Sequence, residues 1–209
     1  MDALRGKDIR RFVHVSTDEV YGSIEEGSFD ESAPLNPSSP YSASKAGADC
    51  VVNAMWETYG LPISVVRPTN VYGPRQLPEK LIPKFILNAL NDDTLRLYGD
   101  GSNIRQWLFV DDACRAVRKV IEEGGNEIYN MAGKDELSNL EVTKMILQET
   151  GKPEELIDFV EDRKGHDFRY SLDDSKIRDE LGFEPETGFE EGLSETVEWY
   201  RKRADRFSS

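Results

Sequence analysis

Two cysteines and two histidines in 209 residues leave little material for a metal centre or a disulfide framework. Cys50 and Cys114 stand in helix-like stretches without ligand spacing, so the sequence predicts no metal and two buried, reduced thiols, as in a reducing cytoplasm. No apolar run approaches the ~20 residues that cross a bilayer. The opening residues, MDALRGKDIRR, lack the apolar stretch of a secretion signal. The expectation is a cytoplasmic protein with no membrane partner. Positive charge is also scarce. With 26 Lys and Arg against 40 Asp and Glu, the net charge of −14 repels a phosphate backbone and argues against nucleic acid. Any anionic ligand therefore needs a local basic cluster. The most specific absence is that of a glycine-rich strand-to-helix turn. Neither G-x-G-x-x-G nor G-x-x-G-x-x-G occurs, so these residues contain no cradle for a dinucleotide pyrophosphate.

What is present alternates strand and helix. Residues 11–16 (RFVHVS) read as a short buried strand, 41–59 as a helix and 63–67 (ISVVR) as a second core strand. The segment 70–76 (NVYGPRQ) is rich in breakers and reads as a loop. A helix over 81–91, a strand over 95–98, a turn at 99–101 and an amphipathic helix over 111–123 follow, then a strand over 127–131. Helices near 138–150, 173–181 and 188–203 end the chain. This order predicts an α/β fold with a mainly parallel sheet, short of strands for a complete doubly wound domain.

Two clusters carry chemistry. Ser16-Thr17-Asp18-Glu19-Val20-Tyr21-Gly22 puts two carboxylates at the carboxyl end of the first strand, the edge where open parallel sheets bind ligands. Ser39-Pro40-Tyr41-Ser42-Ala43-Ser44-Lys45 sets Tyr41 and Lys45 four apart on one helical face. A phenol titrates near pH 10, so a neighbouring ammonium is needed to favour the phenolate that takes a proton from an alcohol. Taken alone, Tyr-x-x-x-Lys is weak and Asp-Glu reads as an exposed pair closing a strand. His14 lies inside the strand and reads as packed, and His166 as a supporting residue behind a binding arginine.

In conjunction, STDEVYG, SPYSASK, NVYGPRQ, PEKLIP (78–83), GDGSNIRQWLFVDD and EDRKGHDFRYSLD (161–173) resemble the extended short-chain dehydrogenase family, specifically its nucleotide-sugar 4,6-dehydratases of the dTDP-glucose type. The resemblance implies a truncated Rossmann-like parallel sheet, residues 1–69 with 106–132 returning to it, and a smaller mixed α/β substrate lobe over 70–209. It implies NAD as cofactor, with Ser16, Tyr41 and Lys45 at its site, which is incomplete in this chain. Tyr41 is then the base at the sugar C4 hydroxyl, Lys45 its electrostatic partner and Thr17 a hydrogen-bonding group near the C4 oxygen. Glu19 removes the C5 proton, and Asp18 protonates the departing C6 hydroxyl. Arg105 and Arg163 hold the nucleotide diphosphate. Asn70, Asn130, Lys80, Leu81, Pro83 and His166 complete the substrate site. The partners implied are a nucleotide-diphosphate sugar and a second copy of the chain through the Tyr41 helix, or a complementing N-terminal half.

Val71 and Arg75 depart from the dTDP-glucose pattern toward UDP-sugar relatives. The sequence thus leaves open a UDP-sugar 4,6-dehydratase, an epimerase, or a catalytically silent fragment or paralogue serving as a binding or dimerisation partner.

Overall fold

The computed structural model describes residues 2–207. Three apolar strands, β1 (Phe12–Val15), β2 (Ile63–Pro68) and β6 (Ile128–Met131), form one parallel sheet in the order β1-β2-β6. The crossover from β1 to β2 contains α1 (Pro40–Tyr59), whose boundaries are written in its sequence. Ser39 accepts from the Ser42 amide in a reciprocal capping box, Pro40 occupies the first turn, and Gly60 ends the helix in the left-handed conformation at φ 63°. Successive strand residues face opposite ways. Val65 packs with Val52, Met55 and Trp56 of α1, and Val66 with Ala113, Ala116 and Val120 of α3 (Val110–Glu122), so the two helices cover opposite faces. Helix α5 (Ser175–Leu181) adds Ile177 and Leu181 to the α3 side.

The rest of the chain builds on a second three-stranded sheet, β3-β5-β7. There β3 (Asn70–Tyr72) runs parallel to β5 (Ile104–Phe109), and β7 (Asp135–Ser138) runs antiparallel to it. A parallel pair, β4 (Leu95–Tyr98) with β8 (Ile157–Val160), stands beside it. Helices α2 (Leu81–Leu90), α4 (Asn139–Thr150) and α6 (Phe189–Arg201) bury Ile86, Ile146, Val197 and Tyr200 against Tyr72, Trp107 and Phe109. The two sheets meet at Gly133, where a Cβ would lie 1.7 Å from the Trp107 carbonyl oxygen, so no other residue fits without displacing β5.

Several elements differ from the sequence reading. The 70–76 segment begins as a strand because Val71 and Tyr72 pair with Leu108 and Phe109. Strands β5, β7 and β8 went unread. Of the stretch 106–132, β6 pairs in the first sheet and α3 packs against strands of both, whereas residues 106–109 lie in β5 of the second. Cys50 and Cys114 are exposed, not buried, because each lies on the outer side of its helix. Among the described residues, no helix is long and apolar enough to cross a membrane.

Candidate functional site

Past Val15 the chain leaves β1 through Ser16 and Thr17 into a one-turn 3-10 helix, Asp18–Tyr21. Thr17 is extended. Its Oγ1 accepts from the Glu19 amide at 3.3 Å and donates to Asp18 Oδ1 at 3.0 Å, capping the turn and orienting the first carboxylate. Asp18 is 4% exposed, and its Oδ2 has no hydrogen-bond partner. Burial first, and the Glu19 charge second, push its pKa up to about 7 against the opposing pull of Thr17 and Arg105. Near neutrality the group therefore holds a proton about half the time. Burial also raises Glu19, offset in part by Arg105, Arg163 and Lys80. The pair is not the solvated strand ending that its composition alone suggests.

Glu19 and Tyr41 form one side of a cleft of about 490 Å³, with Asn70, Lys80, Arg105 and Arg163 also in its walls. Tyr41 sits in the first turn of α1 and is 56% exposed. Its phenol is raised by burial and by the Glu19 and Asp18 charges. Lys45 donates its Nζ to the Val15 carbonyl at 2.8 Å and ties α1 to the end of β1. The lowering of Tyr41 expected from Lys45 does not prevail here: burial leads the rise, the two carboxylates add to it, and the Lys45 ammonium is engaged by the Val15 carbonyl.

Arg105 reaches the cleft from β5. Its Nη1 donates to the carbonyls of Ile104 (2.7 Å) and Phe168 (3.1 Å), its Nη2 to that of Asp167 (2.9 Å), and the guanidinium lies 4.3 Å over the Tyr170 ring. A cation so held is fixed in place before any ligand arrives. Arg163 stands exposed, 5.5 Å over Tyr98. The His166 side chain is 4% exposed with Nδ1 2.7 Å from Asp162 Oδ1, and burial leads the lowering of its pKa. Lys80, from the wall of the cleft, and Leu81, at the start of α2, line an adjoining cavity of about 330 Å³ with Lys84, Arg96 and Tyr98.

Seven expected residues do not line the larger cleft: Ser16, Thr17 and Asp18 follow β1, Lys45 lies on α1, Leu81 lines only the smaller cavity, and Pro83 and Asn130 line neither. Pro83 is buried in the first turn of α2 and lines neither cavity. Asn130 is fully buried in β6: its Nδ2 donates to the carbonyls of Phe29 and Asp173, and its Oδ1 accepts from Tyr21. All of these groups are engaged by protein partners, and Asn130 lines neither cavity.

Asp167 and Tyr170 line the cleft and were not singled out from the sequence. Tyr170 Oη donates to Asp167 Oδ2 at 2.5 Å, and Ser38 Oγ donates to the same oxygen, which moors the 161–168 segment to the residue before the α1 cap. The block EDRKGHDFRYSLD contained the signal, but only the geometry separates the mooring residues from the binding ones. Glu19, Tyr41 and the cations thus face one cavity, with buried Asp18 next to Glu19, an arrangement suited to proton transfers on an anionic ligand.

Known proteins share this architecture. Relatives include the low-salt glycan biosynthesis protein Agl12 of Haloferax volcanii, 53% identical over 96% of this chain and 64% of its own length. A dTDP-glucose 4,6-dehydratase of Streptomyces niveus is 50% identical over 96% of this chain and 60% of its own. The crystal structure of the dTDP-glucose 4,6-dehydratase DesIV of Streptomyces venezuelae, with NAD bound, superposes with a TM-score of 0.92 at 52% identity, covering 94% of this chain and 61% of that one. The chain thus spans about three fifths of the length of the relatives it matches. The profile of the family described as GDP-mannose 4,6 dehydratase matches residues 1–196, and on that match the chain belongs to this family of extended short-chain dehydrogenases.

Proposed function

We propose that the cleft is the acid–base and diphosphate-binding part of a nucleotide-sugar 4,6-dehydratase site, acting on a dTDP-glucose-type substrate. One observation carries this reading: a buried carboxyl titrating near neutrality, Asp18, adjoins a second carboxylate, Glu19, in a cleft shared with Tyr41 and walled by cations. Tyr41 takes the proton of the sugar C4 hydroxyl as that carbon becomes a ketone. The ketone acidifies the C5 proton, which Glu19 removes, while Asp18 gives its proton to the C6 hydroxyl leaving as water. Asp18 suits the acid role because it is still partly protonated at pH 7, and Thr17 holds its other oxygen. Lys80, Arg105 and Arg163 balance the diphosphate charge, and Asn70 contacts the sugar.

The NAD-bound structure of DesIV points to NAD. The bond of Lys45 to the Val15 carbonyl, next to Ser16 at the end of β1 and one helical turn from Tyr41, suits these three residues to its nicotinamide end. When bound, NAD would supply the two-electron chemistry, taking the C4 hydride and giving it back at C6, so that the net change is the loss of water. No glycine-rich turn occurs in these 209 residues for the pyrophosphate. We assign the β1-β2-β6 sheet with α1 and α3 to the cofactor side and the β3-β5-β7 sheet with its helices to the substrate side. The exposed Val51 and Tyr59 on α1 suit pairing of two copies along that helix, and the two exposed thiols suit a reducing cytoplasm.

Calorimetric titration with dTDP tests the binding half of this reading. Arg163→Met is expected to weaken binding roughly 10- to 100-fold, the range for a charge-assisted hydrogen bond. Unchanged affinity in both Arg163→Met and Arg105→Met would contradict it.

A further inference from the structure

Behind the cleft, five side chains from five segments join in one buried polar chain. Arg67 of β2 is 3% exposed. Its Nε donates to Asp49 Oδ2 of α1 at 3.0 Å, its Nη1 donates to the Tyr21 hydroxyl at 2.7 Å, and its guanidinium lies 4.7 Å over the Tyr21 ring. His14 of β1 contacts Asp49 Oδ1 through Nε2 at 3.1 Å, so this histidine is held by an ion-pair network as well as by packing. Tyr21 passes its own proton to Asn130 Oδ1 at 2.9 Å, and Asn130 holds the carbonyls of Phe29 and Asp173.

A buried Arg–Asp pair is a poor source of stability. Desolvating two charges costs several kcal/mol per ion, and an apolar pair of similar volume is often as stable or more so. What such a pair supplies is geometry. Asp49 lies one turn beyond Lys45 and two beyond Tyr41, so it reports the position of the helix that carries the proposed base. Tyr21 closes the same 3-10 turn that Asp18 opens, so it reports the position of the carboxylates. Two bonds already fix α1 to β1, Lys45 to the Val15 carbonyl and Asp49 to His14. The turn beyond β1 packs Val20 and Tyr21 with Ala46 of α1, and among the described residues its polar tie to that helix runs from Tyr21 through Arg67 to Asp49.

We infer that Arg67 is a positioning residue whose guanidinium, bridging Asp49 and Tyr21, sets the separation between the carboxylate turn and the helix carrying Tyr41. The functional weight of this role rests on the reading of Asp18, Glu19 and Tyr41 as the reacting groups. The bridge leaves the substrate cleft untouched, since neither Arg67 nor Tyr21 lines it. It also acts on Asp18 by placement. The charges that lead at Asp18 are those of Glu19 and Arg105.

The test needs neither nucleotide nor turnover, so it stands apart from the binding test above. The Asp18 carboxyl carbon is followed by NMR through a pH titration of the 209-residue protein. Tyr21→Phe removes one oxygen and keeps the ring stacked on Phe29 at 5.2 Å, and Arg67→Lys keeps the charge but loses the fork. In both variants the turn is expected to loosen, admit water, and let the Asp18 midpoint fall by half a unit or more toward its ordinary 3.8. Ile146→Val, in the distant α2/α4/α6 core, costs stability of a similar order and is expected to leave the midpoint in place. A midpoint that moves by less than half a unit in both bridge variants overturns the proposal, as does an equal shift in Ile146→Val. Should neither variant fold, hydrogen exchange on the unaltered protein decides. The Gly22 amide, bonded to the Glu19 carbonyl, is expected to exchange as slowly as the amides of β2, and exchange at the rate of a frayed turn overturns the proposal.

Discussion

Asp18 titrates near 7 in the fold and near its ordinary 3.8 in an unfolded chain, and this difference makes stability depend on pH. Between those values the folded state holds a proton that the unfolded state has released. The contribution of Asp18 is therefore whole below pH 4 and is lost as pH rises through 7. Asp18→Asn keeps the shape and cannot ionise, so relative to the unaltered protein it is expected to gain about 1–4 kcal/mol of stability between pH 5 and pH 8. Urea melts at the two pH values check this, and a difference that does not change with pH would show Asp18 to be solvated. The same carboxyl explains a division of labour between residues. In a preparation completed with a glycine-rich half, Glu19→Gln is expected to permit oxidation at C4 and block loss of water, giving NADH absorbance without 4-keto-6-deoxy product. Tyr41→Phe is expected to abolish the oxidation itself, because the alcohol proton then has no base. Normal NADH formation in Tyr41→Phe would remove that tyrosine from the role.

At the level of elements, the structure depends on a few close approaches. Gly133→Ala forces a methyl group to within 1.7 Å of the Trp107 carbonyl oxygen and must part β5 from the β6–β7 corner. A loss of about 3 kcal/mol or more is expected, measured as a lowered urea midpoint; an unchanged midpoint would mean that the two sheets are less tightly joined than described. The same level shows what the sequence made legible. Helix α1 was readable from Ser39 and Pro40 at one end and Gly60 at the other, and β1, β2 and β6 from their apolar runs, because those signals are local. Strands β3, β5, β7 and β8 were not, since polar residues such as Asn70, Arg105, Asp135 and Asp158 interrupt them and each takes its extended form from a partner far along the chain, as Asn70 does from Trp107. For the same reason the site was read in part. Thr17, Asp18, Glu19 and Tyr41 were recognisable in their motifs, whereas the burial that spends Asn130 on Tyr21, and the mooring of Asp167 by Ser38 and Tyr170, exist only once distant segments meet.

Taken whole, the molecule is an acidic body with a basic cleft. A net charge of −14 surrounds Lys80, Arg105, Arg163 and Lys164, so an anionic ligand is drawn to one place and repelled elsewhere. Affinity for dTDP is accordingly expected to fall several-fold between about 0.05 and 0.5 M salt, as screening shortens the reach of those cations. A salt-independent affinity would place the nucleotide outside the cleft. The 209 residues alone are expected to bind NAD weakly, having no glycine-rich turn for its pyrophosphate, and β1 stands at an edge of its described sheet. The account as a whole rests on the claim that the Asp18–Glu19 pair turns a C4 ketone into a dehydration. Product analysis by NMR after incubation of dTDP-glucose and NAD with the chain and a glycine-rich half from a relative tests this most directly. The account predicts dTDP-4-keto-6-deoxyglucose, lost in Glu19→Gln; the C4 epimer as sole product, or a keto-deoxy product undiminished in that variant, would contradict it.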